Sequence, residues 1–152
     1  MVEIMEVDNG ADTTLRSQIV DLLMEQMESI GPKDGRIELE RTINRALEPN
    51  SKAHLFIALC EEKQVVGAAF LNVGLSLGKG GQYIWLNDLF VTKEFRNRGI
   101  AKKLLLRIIY WAEQKQIKGI ELETGRNNAA TKALYNSLGF YDVISKRYGF
   151  RF

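Results

Sequence analysis

The feature that most restricts this chain is a basic turn, Arg96-Asn97-Arg98-Gly99-Ile100-Ala101, between two segments of different hydrophobic period. Before it, residues 83–91 (Tyr-Ile-Trp-Leu-Asn-Asp-Leu-Phe-Val) read as a strand. After it, Ile100, Leu104, Leu105, Ile108, Ile109 and Trp111 recur at the spacing that gives a helix one apolar face. A helix start leaves several backbone N–H groups without partners, and the macrodipole places partial positive charge there. Gly99 and Ala101 let an anion approach that backbone, and Arg96, Arg98, Lys102 and Lys103 add full charges. The turn therefore suits a pyrophosphate. It equally suits a helix start with a solvated basic face, and physics alone leaves both readings open.

The rest of the chain falls into short, well-punctuated segments. Residues 2–7 alternate as a strand, and Leu15, Ile19, Leu22, Leu23 and Met27 predict a helix over 14–27 with Asp12 or Thr13 as N-cap. Met24 and Met27 are read as helix core rather than a ligand surface. Gly31-Pro32 stops that helix, and a second one over 35–47 carries Ile37, Ile43 and Leu47. Strands are expected at 54–60 and 65–73, with Glu61-Glu62-Lys63-Gln64 as their hairpin turn. A Gly-rich loop at 74–81 precedes the strand at 83–91. Residues 118–124 alternate as a further strand, and a last helix over 128–138 ends at Gly139, which suits a left-handed C-cap. Residues 140–152 are apolar and aromatic enough to predict a final strand pair. With no repeat, linker or low-complexity tract, the order β-α-α-β-β-β-α-β-α-β predicts one mixed α/β domain over residues 1–152, its helices against one sheet.

Composition narrows the function. A net charge of +2 over 152 residues argues against a general nucleic-acid coat, while leaving room for one basic patch. The single cysteine, Cys60, fits a reducing compartment and reads as a core thiol. The N-terminus lacks the basic start and apolar run of a signal peptide, and no stretch is apolar enough to span a membrane. A cytoplasmic protein without membrane or nucleic-acid partners is expected. Gly78-Lys79-Gly80-Gly81 is not a phosphate loop, because no Ser or Thr follows the lysine and the next element is a strand. His54, the only histidine, reads as structural.

Arg96-x-x-Gly99-x-Ala101 resembles motif A of the GNAT N-acetyltransferases, whose consensus is Gln/Arg-x-x-Gly-x-Gly/Ala. The strand at 83–91 resembles that family's fourth strand. Asn128-Ala129-Ala130-Thr131-Lys132-Ala133-Leu134-Tyr135-Asn136-Ser137-Leu138-Gly139-Phe140 resembles its Asn-…-Ala-…-Leu-Tyr-…-Gly-Phe signature. The segments lie in the family's order and at its usual separations, closely over residues 83–140. The Leu-Asn-Asp-Leu-Phe-Val wording resembles the histone and polyamine acetyltransferase branch.

The resemblance implies a GNAT-like, mainly antiparallel sheet of about 6–7 strands flanked by about four helices, with the fourth and fifth strands splayed. It implies acetyl-CoA as acyl donor, no metal, and a primary amine as acceptor, either a small molecule or a peptide lysine. Leu89, Phe90 and Val91 would pair with the pantetheine arm. The amides of Arg98, Gly99, Ile100, Ala101 and Lys102 would hold the pyrophosphate, framed by Arg96 and Asn97. Asn128 would contact the cofactor, while also being a natural N-cap. Tyr135 would protonate the departing thiolate; otherwise it is a packed tyrosine. The branch further implies a homodimer through the C-terminal strands, although Tyr141, Tyr148, Phe150 and Phe152 would equally close the monomer's own sheet.

The general base is left open. Some relatives have Glu-Asp where this chain has Asn87-Asp88, and Asn87 can orient a water or an amine but cannot take a proton. Strict strand alternation points Asp88 to the face opposite Asn87. Glu123 is a further candidate. Glu25, Glu28, Asp34, Glu38 and Glu40 are either a lining for a polycationic acceptor or a solvated face. A non-catalytic acyl-CoA-binding module, and a nucleic-acid binder using Arg96, Arg98, Lys102 and Lys103, are the competing readings.

Overall fold

The described residues of the computed structural model, 1–27, 35–124 and 128–152, form five strands and four helices. Glu28, Asp34 and the Gly31-Pro32 helix stop lie outside them. The elements are β1 (Glu3–Val7), α1 (Thr13–Met27), α2 (Gly35–Ala46), β2 (Ala53–Leu59), β3 (Val65–Ser76), β4 (Gly81–Val91), α3 (Ile100–Gln114), β5 (Ile120–Leu122) and α4 (Ala129–Ser137). Of the two expected N-caps of α1 it is Asp12 that serves, its Oδ1 accepting from the Leu15 amide at 2.8 Å, while Thr13 is the first helical residue. The Gly-rich segment is a tighter connection than its sequence suggests, since β3 runs on to Ser76 and β4 begins at Gly81.

The strands pair in chain order, β1-β2-β3-β4-β5. Each neighbour is antiparallel except β5, which runs parallel to β4. Period-2 alternation divides the side chains between two cores. Phe56, Val66, Leu71 and Ile84 pack against Leu104, Leu105 and Ile108 of α3, with Tyr135 of α4 in the same cluster. Leu55, Ile57 and Val65 pack on the other face against Ile19, Val20, Leu22 and Leu23 of α1 and Ile43 of α2. Cys60 is buried in the α3-side core. His54 is tied into the sheet, with Nδ1 3.0 Å from Glu6 Oε1 and its ring 4.8 Å from that of Trp111.

Two expectations need correction. The sheet has five strands among the described residues, rather than six or seven. Residues 141–152 form no strand pair, and every one of them is exposed. Aromatic composition favours strands only where a neighbouring strand and an apolar face receive them; this segment pairs with no strand among the described residues and buries none of its side chains.

Gly67 sets how closely α3 approaches the sheet. A Cβ there would stand 3.3 Å from both Ile100 Cγ2 and Leu104 Cδ1, and 3.4 Å from Ala58 Cβ. Since Ile100 is the first residue of α3, this contact also positions the helix start. Gly67→Val is expected to destabilise the protein by about 1–3 kcal/mol through overpacking, which urea unfolding checks.

Candidate active site

The turn before α3 is built to present backbone amides. Gly99, its N-cap, has φ +76°, and Asn97 also lies in the left-handed region with φ 63°. The first α3-directed bond runs from the Lys103 amide to the Gly99 carbonyl at 3.1 Å, so the amides from Arg98 to Lys102 precede the hydrogen-bonded ladder. No side chain caps this helix. Arg96 faces back toward β4: its Nε donates to the Val91 carbonyl at 2.9 Å, and its guanidinium lies 5.3 Å from the Phe90 ring. The Arg98 guanidinium lies 4.7 Å over Phe95. These contacts brace the turn. From α1, the Glu25 carboxylate accepts from Thr92 Oγ1 at 2.8 and 3.0 Å and from the Lys93 amide at 3.3 Å. Glu25 thus secures the turn and is not free to line an acceptor groove; Glu40 is likewise engaged, by Arg36 at 3.1 Å.

β5 pairs with β4 only from Ile84 to Leu86. Beyond Leu86, the edge of β4 that carries Leu89, Phe90 and Val91 has no β5 partner among the described residues. This is the splay that the resemblance implies.

At the same point β4 carries a bulge. Phe70 faces Asp88 and Leu71 faces Leu86, which leaves Asn87 as the extra residue. The alternation shifts by one. Ile84 and Leu86 lie on the α3 side before the bulge, Leu89 and Val91 after it, and Phe90 packs on the α1 side. Asn87 and Asp88 consequently border one cleft, which corrects the opposite-face expectation drawn from unbroken alternation. The Asn87 Oδ1 accepts from Asn72 Nδ2 at 2.8 Å, which fixes its amide.

The cleft has a volume of about 230 Å³ and is also lined by Glu123, Asn128, Thr131 and Tyr135. Asn128 is the N-cap of α4, its side chain accepting from the Thr131 amide at 3.1 Å, and it also borders the cleft. At the other end of α4, the Phe140 amide donates to the Tyr135 carbonyl at 3.1 Å and the Gly139 amide to Asn136 at 3.2 Å. With Gly139 at φ +93° this is a Schellman motif. The hydrophobic contact that accompanies such motifs is the Tyr135–Phe140 ring pair, 5.7 Å between centroids. The Asn…Tyr…Gly-Phe signature thus has a local physical basis: it caps both ends of one short helix and orients Tyr135.

Burial raises the pKa of the Tyr135 phenol and of the Asp88 carboxyl above their ordinary values. Asp88 is half-buried, and no hydrogen bond or ion pair engages it among the described residues. Glu123 is different, because its carboxylate is paired with Arg147 of the C-terminal segment. Arg147 and its aromatic support Trp85, 5.2 Å away, were not expected at the site. Trp85 could have been noticed as a strand residue two positions before Asn87. Arg147 carries no local signal.

The sequence profile of the Acetyltransferase (GNAT) family matches residues 16–140. The chain belongs to that family. Among curated relatives, the [ribosomal protein bS18]-alanine N-acetyltransferase of Salmonella typhimurium is 36% identical over 62 residues, 41% of this chain and 42% of that one. The chain spans about two-fifths of the length of such relatives. Two of the solved structures with this fold illustrate the likeness. A probable acetyltransferase superposes with a TM-score of 0.84 at 19% identity, over 99% of this chain and 97% of the other. The aminoglycoside N-acetyltransferase AAC(6')-Iy, in complex with a bisubstrate analogue of CoA, gives 0.77 at 19% identity over 99% and 98%.

The raised pKa of Asp88 has a consequence for stability in this GNAT chain. The folded state holds that proton to higher pH than the unfolded chain does, so ionisation opposes folding as pH rises above the ordinary carboxylate range. Asp88→Asn is expected to raise Tm at neutral pH. The gain should shrink below about pH 4, where the unfolded carboxyl is also protonated. Thermal melts at the two pH values check the sign.

Proposed function

We propose that this chain is an acetyl-CoA-dependent N-acetyltransferase that transfers acetyl to a primary amine by direct attack on the thioester. The observation that carries this reading is one cleft, at the splay of β4 from β5, bordered by Asp88, Asn87 and Tyr135. Family membership supports it. So does the occurrence of a CoA bisubstrate analogue on an aminoglycoside acetyltransferase of the same fold.

The residues divide the work by their chemistry. The amides of Arg98, Gly99, Ile100, Ala101 and Lys102 would hold the pyrophosphate of acetyl-CoA, and the free edge of β4 at Leu89, Phe90 and Val91 would pair with the pantetheine arm. An alkylammonium must lose a proton before it attacks, at a cost of roughly 4–5 kcal/mol at neutral pH. Asp88 is a carboxylate of the cleft with no partner among the described residues, and its burial makes it a stronger base than an exposed aspartate. Asn87, held by Asn72, would orient the amine or a bridging water. Backbone amides near the bulge would stabilise the oxyanion. The amine nitrogen bonds to the carbonyl carbon and releases its second proton to water, the carbon–sulfur bond breaks, and the thiolate leaves.

That thiolate has an ordinary pKa of about 8.5, below the phenol's value of about 10. Tyr135, kept protonated by its burial, can hydrogen-bond the sulfur and protonate it as charge develops. An available base in the cleft weighs against the non-catalytic binding module. Relatives acting on a ribosomal-protein alanine and on aminoglycosides support an amine acceptor of either protein or small-molecule type. The exposed aromatic tail supports the further reading that two copies associate.

Turnover should depend on acetyl-CoA and favour one member of a panel of polyamines, amino acids, aminoglycosides and lysine peptides, measured as thiol release. Tyr135→Phe and Asp88→Asn should each lower kcat by about 100-fold or more while acetyl-CoA binding is retained. Wild-type kcat in either variant would remove that residue's role.

A further inference from the structure

The C-terminal segment touches the body through one side chain in particular. Among the described residues, no hydrogen bond, ion pair or ring contact other than those of Arg147 ties residues 141–152 to the rest of the chain. The Arg147 Nη1 donates to Glu123 Oε2, and the guanidinium lies 5.2 Å over the Trp85 ring. Glu123 borders the cleft that holds Asp88 and Asn87. Trp85 precedes those residues on β4 and pairs across the sheet with Asn72, whose amide holds Asn87. An aromatic face and a carboxylate that converge on one cation beside the cleft are the components of a cation-binding site.

We propose that Trp85 and Glu123 form a subsite for a second cationic group of the acceptor, and that Arg147 fills this subsite as an intramolecular stand-in when no acceptor is bound. The inference rests on the acceptor reading of the cleft given above. It narrows the acceptor class to small amines with at least two positive charges, one presented to Asp88 and the other to Trp85 and Glu123. The geometry fits a displaceable occupant. The side chains of Arg147 and Glu123 are 64% and 50% exposed. Exposed ion pairs and exposed cation–π contacts are each weak, so a tethered guanidinium yields readily to a ligand that adds a second contact. A monoamine gains nothing from the subsite, because its single charge is used at the reacting centre.

The test is equilibrium binding to the full chain without acetyl-CoA. A series of α,ω-diamines and the monoamines of matching length would be titrated by calorimetry into wild type, Arg147→Ala and Glu123→Gln. Both substitutions are at exposed positions, and circular dichroism confirms the fold. The diamine of best length should bind more tightly than its monoamine. Arg147→Ala should tighten the diamine about three- to tenfold with the monoamine unchanged, and Glu123→Gln should abolish the diamine's advantage. An unchanged diamine-to-monoamine ratio in both variants would overturn the subsite, as would the absence of amine binding throughout. Thiol release separates this result from the parent reading. Diamines that bind as expected but are never acetylated would sink the transferase while the subsite stands. Acetylation with a variant-independent ratio would do the reverse.

Discussion

β4 loses its β5 partner at Leu86, and the residue that follows, Asn87, is the unpaired extra residue of a bulge against β3. A sheet interior leaves no backbone group for a ligand and no room for one, so a site inside this sheet requires such an interruption. Here the two interruptions coincide. The splay opens an edge of β4 that can pair with an extended ligand, and the bulge turns Asp88 toward the same cleft as Asn87. Without the bulge, alternation would place the carboxylate and the amide on opposite faces.

The second half of the site depends on how α3 is seated. Its buried face, Leu104, Leu105 and Ile108, fixes the helix on the sheet, and Gly67 lets the first turn approach closely. The amides before Lys103 are then held in place by core packing rather than by a side-chain cap. Arg96 and Glu25 brace the turn from β4 and α1. Donors aimed by the rigid parts of the fold would need little reorganisation to receive the proposed pyrophosphate.

Much of this was legible in the sequence where the determinants are local. The Arg96–Ala101 turn, the apolar face of α3 and the Asn128–Gly139 helix with both its caps are set by residues a few positions apart. The facing of Asp88 was not, because a bulge is a property of register between Phe70, Leu71 and β4 rather than of β4 alone. The C-terminal segment differs for a related reason: its aromatics have strand composition, but no strand edge among the described residues receives them. The Arg147–Glu123 pair joins residues 24 positions apart, and no short-range pattern announces it.

In the proposed complex, one acyl-CoA molecule lies across the start of α3 and the free edge of β4. A titration of the isotopically labelled protein with CoA, followed by backbone amide NMR, reads both places at once. The largest shifts should fall together on Arg98–Lys102 and Leu89–Val91 and saturate with a single affinity. Shifts confined to the basic side-chain face of α3, or saturation without any response in β4, would contradict it.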